Sequence, residues 1–315
     1  MGFTVAIARK YKIPPGVRGT CSLERIVPKT VTYLSDPRYA NYLKPNMGLI
    51  VLVSKEQFNK VKSVTGNQYR VVKNPLTSFI EIHNDLHRDF EILTQETGKP
   101  RCGKHCFIST DVSFGSNVSL GNNVKVYAYA TLGSNVRIGD NTIIYPGVTI
   151  CNDTSIGARC VIDSGAVIGA EGFSATYDTR KGAVRLYNVG KVKIGNDAEI
   201  GVHSIIDRGS MFDTIIGNRV KINNFVHIGH NCIINDDVRI GVKVIVSGST
   251  EIGKRAWIAN GSLLRDHIKI GQDAQVLMGS VVIDSVPPKA RVGGHYAMPH
   301  EQWKNHIAEI KKQKH

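Results

Sequence analysis

Residues 132–168 read LGSNVRIGDNTIIYPGVTICNDTSIGARCVIDSGAVI, with a bulky aliphatic side chain at every sixth position: Leu132, Ile138, Ile144, Ile150, Ile156, Ile162 and Ile168. Upstream the same beat falls on Ile108, Phe114, Leu120 and Val126; downstream it resumes after an interruption at Ile194, Ile200 and Ile206. A four-residue slip follows, and twelve further beats run from Ile216 to Val282. Glycine often follows the beat, as at Gly121, Gly139, Gly157, Gly217, Gly241 and Gly253. The residue four after the beat is usually small, as at Val136, Thr142, Cys160, Ala166 and Cys232. This period matches neither an amphipathic helix nor an alternating strand. It predicts a parallel β-helix in which each hexapeptide is a short strand plus a turn and three hexapeptides close one triangular coil. The bulky residue fills the prism, the small one fits beside it, and glycine is expected to relieve the backbone at the corner. The 26 beats make between eight and nine coils, a prism about 40 Å tall at about 4.8 Å per coil.

The rest of the chain is organised around that prism. Residues 1–100 read as a small α/β cap, 101–286 as the β-helix and 287–315 as a C-terminal extension. In the cap, Val31–Leu34, Leu49–Val53 and Tyr69–Val72 read as strands, and residues 78–95 as a helix with Phe79, Ile82, Leu86, Phe90 and Leu93 on one face. From about Pro299 to His315 the extension reads as a short basic helix containing Trp303, Ile307 and Ile310.

Composition excludes several classes. With 42% hydrophobic and 21% charged residues over 315 positions, the chain is globular rather than disordered. Its apolar runs, such as Leu49–Val53, fall far short of the roughly 20 residues a membrane span needs. MGFTVAIARKYKIPP has no long apolar stretch before a small-residue cleavage site, and the six cysteines are too sparse for a disulfide scaffold. A cytoplasmic location is the expectation. Of the net charge of +14, residues 1–75 hold +10, from 13 Lys+Arg against Glu24, Asp36 and Glu56. Such a field attracts nucleotides, phosphates or acidic proteins. No nucleic-acid module and no basic stripe interleaved with aromatics accompanies it, so nucleic acid is not the expected partner.

Two interruptions and a set of histidines stand out. Residues 170–193 form a long insertion, and the segment Asp207-Arg208-Gly209 precedes the slip; ordered excursions on a rigid scaffold often carry function. His230 follows beat Ile228 by two residues and His267 follows Leu264 by three, with the beats 36 residues, or two coils, apart. Both therefore project outward from the same prism face, about 10 Å apart along its axis. A general base fits them, and so does a surface or subunit contact. His227 is placed to line the same groove. No metal is expected: Cys102 and Cys106 lack a second ligand pair, and His203, His227 and His230 do not resemble the ligand pattern of the prism-shaped carbonic anhydrases.

The stretch Ile206-Asp207-Arg208-Gly209 through Asp213-Thr214, then Ile216-Gly217, Lys221-Ile222 and His230-Asn231, resembles the UDP-3-O-acylglucosamine N-acyltransferases of lipid A biosynthesis. Gly172-Phe173, the cap segment Tyr33-Leu34-Ser35-Asp36-Pro37-Arg38-Tyr39, and Ala297-Met298-Pro299-His300 with Trp303 extend the likeness over nearly the whole chain. The resemblance implies a left-handed parallel β-helix, a homotrimer with active sites between subunits, and transfer of a 3-hydroxyacyl group from acyl carrier protein to the 2-amino group of a UDP-3-O-acylglucosamine. It makes His230 the general base and His267 the second active-site histidine, and it places Tyr33, Asp36 and Tyr39 at the uridine. Phe173, His227, Asn223 and Asn224 are its further groove residues. No cofactor is implied beyond the phosphopantetheine carried by the donor.

The chemistry agrees with that reading. Amide formation from a thioester needs a base for the amine proton and donors for the oxyanion. Two positions depart from the family pattern: Asn223-Asn224 replaces Asp-Asn, and Asp36 replaces Asn. They keep two alternatives open: an acyl-CoA-dependent N-acyltransferase of another nucleotide-linked amino sugar, or a non-catalytic β-helix that serves as a binding module.

Overall fold

A computed structural model of the chain describes residues 2–17, 19–23, 25–94, 98–179, 182–294 and 299–312. Ala297 and Met298 of the post-prism segment lie outside that set, as do residues 313–315.

The six-residue beat builds a parallel prism of three sheets with nine, ten and nine strands. The first face runs from Arg101–Cys102 to Lys269–Ile270, the second from Phe107–Ile108 to Arg291–Val292, and the third from Ser113–Phe114 to Val281–Val282. Rungs pair 18 residues apart, as in Ile138↔Ile156 and Ile228↔Val246, which is three hexapeptides per coil. The 26 beats of the sequence gain one strand at each end, Arg101–Cys102 and Arg291–Val292, so the prism continues past residue 286. Ile144, Ile162, Ile228 and Ile258 are fully buried, and each such side chain contributes roughly 1.5–3 kcal/mol relative to exposure. Cys160 and Cys232 occupy the small interior slots, and burial pushes the Cys232 thiol up to about 12.

The corner works differently from the sequence expectation. The left-handed residue is not the glycine after the beat but the residue three after it: Asn117, Asn123, Asn135 and Asn141 have φ between 55° and 61°. Asparagine tolerates that conformation with little penalty. The post-beat glycine instead answers close approach between coils. A Cβ on Gly121 would stand 2.7 Å from the backbone nitrogen of Asp140 on the next coil. A ladder of side chains satisfies the corner amides: Asn122 N–H donates to Asp140 Oδ1 at 2.7 Å, and Asn218 N–H to Asp236 Oδ1 at 2.8 Å.

The cap is a parallel sheet of β1 (Val31–Leu34), β2 (Ile50–Val53) and β3 (Gln68–Val71), in that order. Helices α1 (Val5–Tyr11), α2 (Lys55–Val61) and α3 (Pro75–Leu86) complete it. The central strand β2 is buried along its length because both faces are covered. Asn74 caps α3, accepting from Thr77 N–H at 3.2 Å, and Pro75 opens it.

Helix α3 ends at Leu86, not near residue 95. Beyond it the chain binds the prism flank instead. The Asn152 side chain accepts from Thr94 N–H at 3.1 Å and donates to Glu91 O at 3.1 Å, and the Phe90 ring stacks beneath Arg208 at 4.7 Å. Those contacts replace the helical bonds residues 87–94 would make. Helix α4 (His300–Lys312) forms the tail, and the Trp303 ring lies 5.9 Å from that of His300. The side chains of Ile307 and Ile310 lie outside the described residues.

Candidate active site

The insertion is a folded arm, not a surface excursion. Strand Val167–Glu171 leads into an antiparallel hairpin of Ala175–Asp178 with Gly182–Arg185. The hairpin docks on α3: Asn84 Nδ2 donates to Arg185 O at 2.7 Å, and Tyr187 N–H donates to Asn84 Oδ1 at 3.1 Å. His83 completes the seam with Nε2 3.0 Å from Tyr187 O and Nδ1 2.7 Å from Thr20 Oγ1. The carbonyl can only accept, so Nε2 carries the proton and Nδ1 accepts the Thr20 hydroxyl. Burial lowers His83 to about 4, consistent with a neutral ring.

Cap, arm and one prism corner enclose a cavity of about 410 Å³. Five of the sequence-predicted residues line it: Tyr33, Tyr39, Phe173, His230 and His267. The Tyr33 ring packs on Phe79 at 4.8 Å and the Tyr39 ring beside Tyr42 at 6.0 Å. Phe173 is strongly exposed at the rim. The four-residue slip becomes the loop that carries Ser210, Met211 and Phe212 into the cavity wall. Both histidines lie on turns just past third-face strands, so they sit at a corner of the prism and not on its flat face.

Asn231 sets the state of His230. Its Oδ1 accepts Ser210 N–H at 3.1 Å and its Nδ2 donates to Phe212 O at 2.7 Å, which fixes the orientation of the amide. His230 Nδ1 lies 2.9 Å from that same Oδ1. An amide oxygen only accepts, so Nδ1–H donates and the Nε2 of the neutral ring keeps a lone pair. Glycine makes room for that ring. A Cβ on Gly248, one coil further on, would stand 2.7 Å from His230 Cε1 and 2.8 Å from Nε2. A Cβ on Gly172 would meet Cβ and Cδ2 of the same histidine at 3.0 Å. His267 N–H donates to Gly248 O at 3.1 Å, so the two histidines flank one glycine.

Four predicted residues stand elsewhere. Asp36 does not reach the cavity wall; it precedes the 3₁₀ turn Pro37–Tyr42, and its carbonyl accepts Tyr39 N–H at 3.1 Å. His227 sits on the outer side of a third-face strand and turns to Asp207, with Nε2 3.0 Å from Oδ2. That nearly buried carboxylate raises the His227 pKa above its usual value by accepting its hydrogen bond. Asn223 and Asn224 belong to another corner, where Asn224 Oδ1 accepts Val202 N–H at 2.8 Å as a rung of the ladder. They border a separate cavity of about 400 Å³ with Lys221, Arg239 and Trp257. The sequence reading assigned no role to Asn231, Gly248 or Phe212. Adding 18 residues, one coil, to His230 leads to Gly248, and the slip itself marks the loop of Phe212.

Arg208 ties these parts together. Its guanidinium is fully buried, and its Nε donates to Gly190 O at 2.8 Å where the arm returns to the prism. Among the described residues, no group of three or more His, Cys, Asp or Glu side chains could hold a metal ion. No helix there is long and apolar enough to cross a membrane.

The bacterial transferase hexapeptide (six repeats) family matches residues 135–170. A Francisella novicida UDP-N-acetylglucosamine acyltransferase shares the fold, with a TM-score of 0.51 at 22% identity over 65% of this chain and 73% of that one. Among curated proteins, the UDP-3-O-acylglucosamine N-acyltransferase of Helicobacter hepaticus is 34% identical over 91% of this chain and 86% of its own. That of Helicobacter pylori strain HPAG1 is 33% identical over 73% and 68%, and that of Bordetella pertussis 29% identical over 94% and 85%. At 34% identity over 91% of its length, this acyltransferase chain belongs to the UDP-3-O-acylglucosamine N-acyltransferase family.

Proposed function

We infer that the protein transfers a 3-hydroxyacyl group from acyl carrier protein to the 2-amino group of a UDP-3-O-acylglucosamine, with His230 as the general base. The observation that carries this reading is the His230–Asn231 pair, which leaves a lone pair on Nε2 of a histidine that lines the cavity. The neutral amine attacks the thioester carbonyl, and Nε2 takes the proton lost on C–N bond formation. Collapse of the tetrahedral intermediate breaks the C–S bond, and the imidazolium returns a proton to the leaving thiolate. His267 is placed to meet the oxyanion or the donor arm from the same corner. No resident cofactor takes part.

Tyr33 and Tyr39 receive the uracil by stacking. Asp36 lies off the cavity wall. A homotrimer completes the site. Ile245, Leu263 and Val281 leave an apolar stripe along the third face, 40–67% exposed, that continues from His227; a second copy would cover it. Light scattering that returns a monomer at working concentration would refute the trimer.

The decisive assay incubates the protein with UDP-3-O-(3-hydroxyacyl)glucosamine and a panel of 3-hydroxyacyl carrier proteins and CoA thioesters. Carrier-dependent N-acyl product that falls about 10²-fold or more in His230→Ala is expected. Product made only from CoA donors, or full turnover in the variant, would sink the reading.

A further inference from the structure

A second lobe opens beside the cavity and shares its histidine wall. It also measures about 410 Å³, and the two meet at Tyr39, Phe212, Asn231, Ser249 and His267. Their walls differ in chemistry. The first lobe presents Leu34, Leu76, Ile80, Leu186 and Met211; the second brings Arg25, His267 and Lys269 against one lining carboxylate, Glu251.

Glu251 and Lys269 neutralise each other, with Nζ 2.9 Å from Oε2. Arg25 is left in a different position. Its Cζ lies 4.3 Å from the centroid of the Phe212 ring, and among the described residues no carboxylate pairs with it. A guanidinium held against a ring keeps its N–H edge available, and that planar fork matches two oxygens of a phosphate. The Phe212 that supports Arg25 also accepts from Asn231, the residue that holds His230. One residue therefore couples the cation to the base.

We propose that this second lobe is a phosphate-binding arm of the active site, with Arg25 as the residue that grips the phosphate. The proposal rests on the acyl-transfer reading, in which both substrates carry phosphate. One source is the diphosphate of the nucleotide sugar. The other is the phosphodiester of the pantetheine arm. Either would be anchored at one end in the second lobe while its reacting group reaches the shared histidine wall.

Calorimetric binding of two probe pairs, UDP with uridine and 4′-phosphopantetheine with pantetheine, tests this on the wild type, Arg25→Ala and Arg25→Lys. In the wild type the phosphate-bearing member of one pair should bind about 10- to 100-fold tighter than its phosphate-free partner. Arg25→Ala should collapse that ratio without weakening the phosphate-free member, and Arg25→Lys should restore part of it. Collapse of the UDP ratio assigns the arm to the nucleotide; collapse of the pantetheine ratio assigns it to the donor. Uridine binding with both ratios intact in Arg25→Ala overturns the proposal alone. Failure of all four probes to bind the wild type overturns the proposal and the acyl-transfer reading together.

Discussion

Replacing Gly248 by alanine should disable His230 without touching it. Gly248 does not use the left-handed region, so alanine meets no backbone penalty there, and the conflict is steric. The new methyl carbon would stand 2.7 Å from Cε1 and 2.8 Å from Nε2, both well inside contact distance. The ring cannot retreat freely, because Gly172 lies against its other side and Nδ1 is held by Asn231 at 2.9 Å. Turning away costs that hydrogen bond, about 1 kcal/mol, and carries Nε2 away from the position in which it serves as base. A general base contributes about 10²–10⁴-fold, so kcat/KM should fall by at least about 10²-fold while the melting temperature stays near that of the wild type. The double variant with His230→Ala should lose little more than either single one, since both remove the same proton acceptor. The readout is steady-state transfer, with circular dichroism as the folding control. Activity within threefold of wild type in Gly248→Ala would refute Nε2 as the reacting atom.

Three other expectations follow from the same geometry. His83 stays neutral in the fold at a pKa of about 4 while the unfolded chain titrates near 6.5; stability is full above pH 6.5 and falls by about 3 kcal/mol as pH drops to 4. Denaturant midpoints across that window measure the slope, and an unchanged slope in His83→Gln would reject the assignment. Asn152→Ala removes bonds to Ser134 N–H, Thr94 N–H and Glu91 O, a loss of about 2–4 kcal/mol that should expose residues 91–94 to hydrogen exchange. The Asp207 contact raises His227, so the pair stabilises the fold fully below pH 6.5 and loses that contribution as pH rises through the raised value. A proton NMR titration should therefore show the His227 midpoint fall in Asp207→Asn.

Most of the prism was legible because its signal is local and repeated: one interior side chain per hexapeptide, with rungs 18 residues apart. The same phase brought His230 and His267 to one corner. It did not reveal what the corners require. The αL residue at the third position past the beat is often asparagine or aspartate, and so is the ladder residue beside it. Asn224 and His230 therefore hold the same position, two past the beat, while only the histidine faces the cavity. His227 was misplaced for a related reason. Its outward position on the strand is fixed by phase, but its direction is set by Asp207, brought alongside by the coil that carries the slip. The end of α3 was obscured because Phe90 and Leu93 keep helical spacing yet serve the prism flank.

Within the prism each coil bonds only to the coil above and the coil below, so the prism behaves as a zipper whose end rungs have one neighbour. The interior residue Ile108, near the amino-terminal end, is only partly buried, whereas Ile228 is sealed. Fraying should enter from both ends and move inward. Three third-face rungs lie beyond the strand that leads to His230, but only Val281–Val282 lies beyond the one that leads to His267. Heat will thus loosen His267 before His230, and the corner will lose one histidine while the spectroscopic signature of the prism is still intact. Catalysis should melt before the molecule does.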